Sequence, residues 1–299
     1  MQTRQKIPLS IEPYLLTGAI LVVVFLMYAP LIIYWYDGWL NKSISIEHEY
    51  FSHGIIGLPF AGYIAWNNRQ IWRKLPNISH PLGAVLLGVA GVWYISGIPD
   101  LINLSFPFTL AGICLWFKGI PGLKLMSMPL VFVLLASPNH VPYLMEPYAL
   151  PLQKFIAGVA GFILTQLNMD VTVEQIYLYV GGRIVEVAPH CAGLKMLFTS
   201  LYVSLMLLHW TGAIASRGKT IFLLSTAVVV SVSANILRNT LLTIFHGTGQ
   251  EAAFQWLHEG WGGDMYSACM LGLLVLIMNW IDSNFSTSVD AQEEPGIEN

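Results

Sequence analysis

Charge is what this chain has least of. Only 10% of its 299 residues are Asp, Glu, Lys or Arg, against about 25% in ordinary globular proteins. The hydrophobic residues make up 55%, and at a mean hydropathy of +0.62 they must face lipid rather than a water-excluded core. That excludes a soluble enzyme or binding module. The 14 Lys and Arg form no basic patch or arginine-rich arm, which argues against nucleic acid as a partner. The net charge of -3 says little, because in a membrane the placement of charge counts for more than its sum.

Cysteine is scarce as well. Cys114, Cys191 and Cys269 stand far apart, without disulfide or metal-ligand spacing. No cluster of ligands calls for a metal or an organic cofactor, and none is expected. Cys114 and Cys269 fall inside apolar runs, where cysteine behaves as a small buried hydrophobe. The chain also lacks an internal repeat, a linker and a soluble domain. Its first apolar run follows Arg4 and Lys6 and exceeds a signal-peptide core of about 7–15 residues. No A-x-A-like site ends that run, so it is expected to remain as an anchor.

What the chain has instead is apolar runs, at residues 15–35, 54–66, 82–96, 101–117, 125–137, 150–167, 194–210, 220–244 and 266–281. A helical crossing takes about 20 residues, with about 17 as a practical minimum, and several runs are short. Three divisions follow: a cytoplasmic segment 1–14, a multi-pass membrane domain 15–282, and a polar tail 283–299. The tail carries Asp290, Glu293 and Glu294 and is expected to be disordered.

The positive-inside rule sets the orientation. Arg4 and Lys6, then Arg69, Arg73 and Lys74, then Arg217 and Lys219 mark cytoplasmic segments. Counting every run as a crossing would put the segment before Cys191 in the cytoplasm, against the assignment of Arg217 and Lys219. The conflict resolves if one run between 125 and 167 re-enters or lies flat. Pro129, Pro138, Pro142, Pro147 and Pro151 make that region a poor set of straight helices. The expected fold is an all-α polytopic membrane protein of about eight transmembrane helices. It has a re-entrant segment, and the Cys191 end lies on the outer face.

Between 171 and 187 the pattern changes. Residues 176–180 and 183–187 are rich in β-branched and aromatic residues, and Gly181-Gly182 joins them, which reads as a tight extracytoplasmic hairpin. It is either a lip whose edge suits an extended peptide or a structured loop without function.

Chemistry concentrates in three places. In Glu186-Val-Ala-Pro-His-Cys191-Ala-Gly-Leu-Lys195, Pro189 and Ala192-Gly193 put Cys191 at the start of a helix. A helix N-terminus stabilises a thiolate. Lys195 falls at i+4, and Gly193 leaves the backbone open to close approach. The alternative is an inert interfacial cysteine. In Ser231-Val-Ser-Ala-Asn235-Ile-Leu-Arg238, an arginine interrupts an apolar segment, and Asn235 and Ser231 share its helical face. Arginine within a membrane usually faces a bundle interior or a wet cavity, where its donors suit a developing oxyanion. Its alternative is a structural ion pair or a snorkelling side chain. His258 lies in a short aromatic loop, Phe254-Gln-Trp-Leu-His258-Glu-Gly-Trp261-Gly-Gly263, and suits general acid–base work. His246 and His190 are its rivals.

These motifs resemble a known family. Cys191-Ala-Gly-Leu-Lys195 is similar to the Cys-(Ser/Ala)-Gly-Leu-(Arg/Lys) motif of the exosortase/archaeosortase family. Asn235-Ile-Leu-Arg238 resembles its Asn-x-x-Arg motif, and Leu257-His258 with Trp261 and Gly262 resembles its terminal histidine region. Phe51-Ser-His-Gly54 with Pro59, and Pro151-Leu-Gln153, fall in family order. The resemblance implies a multi-pass cysteine protease or transpeptidase of the inner membrane, active at its outer face. Cys191 would be the nucleophile, Arg238 the oxyanion stabiliser and His258 the acid/base, with Lys195, Asn235 and Gly193 in support. Implied substrates carry a C-terminal sorting tail of recognition motif (often Pro-Glu-Pro), transmembrane helix and basic cluster. The acyl group would pass to water, a lipid or a glycan. His190, Ala192 and the glycine-rich 260–263 depart from the usual pattern and suggest a divergent branch, of cyanobacterial type. His53 is either part of the outer site or a fixed loop histidine. Two rival functions remain open: a transporter with Arg238 and Asn235 on its path, and a non-catalytic subunit of an export or polysaccharide assembly system.

Overall fold

The computed structural model describes residues 12–41, 46–187, 193–258 and 260–290. The helices, in order, are α1 Glu12–Leu40, α2 Ile46–Phe51, α3 Gly54–Asn67, α4 Arg69–Lys74, α5 Pro81–Ile95, α6 Pro99–Leu125, α7 Ser127–Ala136, α8 Val141–Met145 and α9 Leu150–Gln166. Three strands follow: β1 Val171–Glu174, β2 Tyr177–Val180 and β3 Arg183–Glu186. Then come α10 Leu194–Trp210, α11 Arg217–Gly247, α12 Glu251–His258 and α13 Trp261–Asp290.

Burial is inverted, as lipid as a solvent requires. Phe25, Ile95, Val229 and Leu276 are exposed, whereas Ser200, Ser204, Asn235, Asn239 and Thr243 are almost wholly enclosed. Among the described residues five helices are long and apolar enough to cross a membrane: Gly18–Leu40, Pro99–Leu125, Pro147–Gln166, Arg217–Gly247 and Trp261–Asn284. Three shorter apolar helices, Pro81–Ile95, Ser127–Ala136 and Leu194–Trp210, accompany them.

Polar side chains tie the bundle internally. Trp35 Nε1 donates to Asn103 Oδ1 at 2.8 Å, and the Tyr28 hydroxyl lies 3.0 Å from that of Ser105. One end of the bundle is basic. It carries Arg69, Arg73 and Lys74 on α4. Beside them Lys118 donates to the Leu75 carbonyl at 2.6 Å. Tyr63 stacks on Trp210 at 5.5 Å, which brings the start of α11, with Arg217 and Lys219, to the same end.

The opposite end carries an antiparallel sheet in the order β1-β2-β3. The Gly181-Gly182 turn is as the sequence reads, with φ of +57 and +74. The sheet nevertheless has one strand more than the expected hairpin. β1 enters through the turn Gln175-Ile176, where Gln175 takes φ +57 without being glycine. The face bearing Leu178, Val185 and Val187 packs on Ile156, Ala157, Ala160 and Leu164 of α9, and on Ile236 and Ile244 of α11.

α11 therefore has two halves. Its first half runs among helices, with Leu223 packed on Leu208, Met278 and Ile281. Its second half lies beneath the sheet, beside α9 and α12. From Arg217 to Arg238 the helix rises about 31 Å, close to the roughly 30 Å of bilayer hydrocarbon. Arg238 thus stands where the two halves meet. At the chain's end α13 continues to Asp290, into the stretch expected to be a disordered tail. No glycine or proline follows Gly272 within it.

Candidate active site

The buried stripe of α11 is a ladder. Ser231, Asn235, Asn239 and Thr243 recur every four residues, and all are enclosed. Asn239 Nδ2 donates to the Asn235 carbonyl at 2.9 Å, and the Thr243 hydroxyl to that of Asn239 at 2.8 Å. Such i to i−4 bonds satisfy polar side chains inside an apolar helix. Asn235 is the exception: among the described residues, neither atom of its buried amide makes a hydrogen bond.

Arg238 joins α11 to α12. Its Nη2 donates to the His258 carbonyl at 3.2 Å and more weakly to that of Leu257 at 3.5 Å. These belong to the last turn of α12, whose carbonyls have no partner within the helix and favour a cation. The Arg238 Nε is buried, with no hydrogen bond among the described residues. His258 ends a helix rather than lying in a loop, and its ring stacks on Phe254 at 5.2 Å and 10°.

Cys191 lies outside the described residues, as do its neighbours 188–192, His190 among them. Both flanks are fixed. Upstream, Gln153 Nε2 donates to the Val187 carbonyl at 2.9 Å. Downstream, Gly193 takes φ +81 and caps α10. A Cβ on Gly193 would lie 2.7 Å from the Asn235 Cγ, so only glycine permits this approach. Gly193 is the N-cap of α10, which begins at Leu194, and the i+4 relation read between Cys191 and Lys195 falls on residues outside those described. Lys195 reaches His48 Nε2 at 3.0 Å. His48 Nδ1 lies 3.0 Å from the Trp39 carbonyl. A carbonyl only accepts, so Nδ1 carries the proton and Nε2 accepts from lysine. Nothing in the sequence distinguishes His48 beforehand.

A cavity of about 110 Å³ lies beside the ladder, with Val185 and Glu186 of β3, Asn239 and His246 of α11, and Phe254 and His258 of α12 on its walls. His258 and its rival His246 thus share one cavity. His246 Nδ1 stands 3.4 Å from a Glu251 carboxylate oxygen without a hydrogen bond, and Glu251 also pairs with Arg183.

A family model described as transmembrane exosortase (EpsH) matches residues 35–275. The chain belongs to the transmembrane exosortase family. The match includes all three motif regions and the sheet. No curated protein and no solved structure matches the chain.

Two further features of this exosortase bear on the site. Its glycine-rich run is a packing device: a Cβ on Gly260 would meet the Trp256 carbonyl at 2.7 Å and one on Gly263 that of Leu257 at 2.9 Å. α13 can therefore fold back tightly under the α12 end that Arg238 holds. His53 lies elsewhere. It is buried at the break between α2 and α3, with Nε2 3.1 Å from the Leu135 carbonyl and its ring 4.3 Å from Tyr202. It does not join Arg238 and His258.

Proposed function

We propose that this exosortase is a cysteine peptidase or transpeptidase that cleaves the C-terminal sorting signals of exported proteins, at the outer face of the inner membrane. Sγ of Cys191, as thiolate, attacks the scissile carbonyl carbon. Arg238 stabilises the tetrahedral oxyanion, and His258 protonates the departing amine as the C–N bond breaks. The thioester that remains is attacked by water or by a lipid or glycan hydroxyl, whose proton passes to the now neutral His258, and collapse of the adduct breaks the C–S bond and returns the thiolate. Lys195, Asn235 and Gly193 support the site.

One observation carries this reading: two separate stretches meet on two adjacent turns of α11. Gly193, two residues beyond Cys191, touches Asn235, and the His258 carbonyl is held by Arg238. A buried amide without partners costs about 1–3 kcal/mol per polar group. The amide of Asn235, bonded to neither neighbour, is suited to a polar substrate group.

The membrane topology follows the same reading. With α9 lying on the outer side, about eight crossings remain: α1, α2–α3, α5, α6, α7, α10, α11 and α12–α13. The packing of α9 on Ile236 and Ile244, in the second half of α11, supports this. So does the gathering of Arg69, Arg73, Lys74, Arg217 and Lys219 at the far end, under the positive-inside rule.

The test follows cleavage of a tagged candidate substrate, carrying a sorting tail, in cells that express wild type or Cys191→Ala at equal membrane levels. Loss of cleavage in the variant, with a hydroxylamine-sensitive acyl-enzyme trapped by wild type alone, is expected. Equal cleavage by both would overturn the mechanism.

A further inference from the structure

The register of the sheet leaves specific backbone groups of β3 unpaired. The Val187 amide donates to the Ile176 carbonyl at 2.9 Å, which makes Ile176 and Val187 a hydrogen-bonded pair. In an antiparallel ladder such pairs alternate with non-bonded ones. Stepping by two, Val185 bonds opposite Leu178, and Arg183 opposite Val180. Ile184 and Glu186 therefore turn their N–H and C=O away from β2. Among the described residues, no backbone hydrogen bond from outside the sheet reaches them.

This edge borders the cavity already described. α11 forms its floor through Asn239 and Leu242, and α12 forms the facing wall through Phe254 and His258. The Arg183–Glu251 ion pair closes the turn end of the groove. The other end leads through Val187 into the segment that carries Cys191. The sheet's opposite edge offers no such groove, since Val173 of β1 packs against Gly161 of α9.

We infer that the β3 edge binds the cleavage region of the substrate as an added strand, an inference that rests on the proposed peptidase function. Two outward donors and two outward acceptors, spaced by alternate residues, match an extended peptide backbone and no other common ligand. Side chains of the added strand alternate between the α11 floor and the open face. The floor-facing positions meet the cavity bordered by Asn239, Leu242, Phe254 and His258. The substrate class is therefore an extended peptide segment, whose scissile bond lies beyond the Val187 end of β3. Glu186 and Ile184 are positioning residues for this peptide, acting through their backbones.

Proline separates this role from a structural one. Ile184→Pro and Glu186→Pro remove only an outward donor, a position where strands tolerate proline. Full-length variants are assayed with the tagged substrate in nanodiscs. KM is expected to rise about fivefold in each, the worth of one net hydrogen bond, with kcat held within about twofold. A backbone ester scan of the substrate, amide by amide, is expected to weaken cleavage at alternate positions only, and it decides the matter where a proline variant fails to reach the membrane. Wild-type KM in both variants, or an ester profile without alternation, would overturn edge pairing while Cys191-dependent cleavage leaves the peptidase reading intact. Cleavage that persists in Cys191→Ala would overturn both.

Discussion

Arg238 reaches across from α11 to hold the backbone oxygen of His258 at 3.2 Å, while the His258 ring is turned onto Phe254. The arginine therefore positions the histidine without engaging its imidazole. Its Nε, buried and without a hydrogen bond among the described residues, is left for another acceptor.

Two substitutions divide these roles. Arg238→Ala is expected to lower kcat by about 100- to 1,000-fold, the usual loss on removing an oxyanion donor. Arg238→Lys keeps the charge but lacks the planar fork, so it should recover only part of the activity. Both should raise amide hydrogen exchange in α12, because its last carbonyls lose their partner. Activity of Arg238→Ala within a fewfold of wild type would remove the arginine from the chemistry.

Gly193 meets two constraints at once, a positive φ and contact with Asn235. Gly193→Ala should destabilise the protein by about 1–3 kcal/mol and abolish cleavage. Asn235→Ala should relieve the steric part alone, so the double variant should regain stability without activity. Thermal melts in detergent measure the coupling. Strict additivity would show that the contact does not matter.

The sheet is docked on α11 through another close approach, Gly247 against Val180. Gly247→Ala should loosen the sheet and open the Gly181-Gly182 turn to proteolysis, and Val180→Ala should restore protection. The expected cost of the single change is about 1–3 kcal/mol, as for other overpacked contacts. Equal cleavage rates in wild type and Gly247→Ala would place the sheet off the helix.

His48 and Lys195 should act as one unit. His48→Phe and Lys195→Met are each expected to lower turnover about fivefold, and the double variant no further than either single one. Multiplying effects would show that the two residues act separately.

The helical character, the Gly-Gly turn and the polar face of the Asn-Arg helix were all legible in the sequence, because each depends on local pattern. The remainder depends on tertiary cover. The hydropathy of residues 239–244 continues that of the span before them, yet Leu242 is buried by protein and Ile244 by α9. A residue covered by a sheet reads like one covered by lipid. β1 escaped notice because Gln175 makes its turn without glycine. The helix ending at His258 has only eight residues, too few for a clear period among aromatics. His48 owes its place at the site to Lys195, 147 residues away.

α11 works as a length standard. It begins at Arg217 and carries Arg238 about 31 Å along its axis, so the place of Arg238 against α12 is counted in helical residues. One residue inserted between 219 and 230 would lift Arg238 by only 1.5 Å but swing it through about 100°, away from α12. Seven inserted residues would bring it back within about 20° of its original bearing, roughly 10 Å farther along. The count of residues in this one helix thus sets whether Arg238 can reach the end of α12.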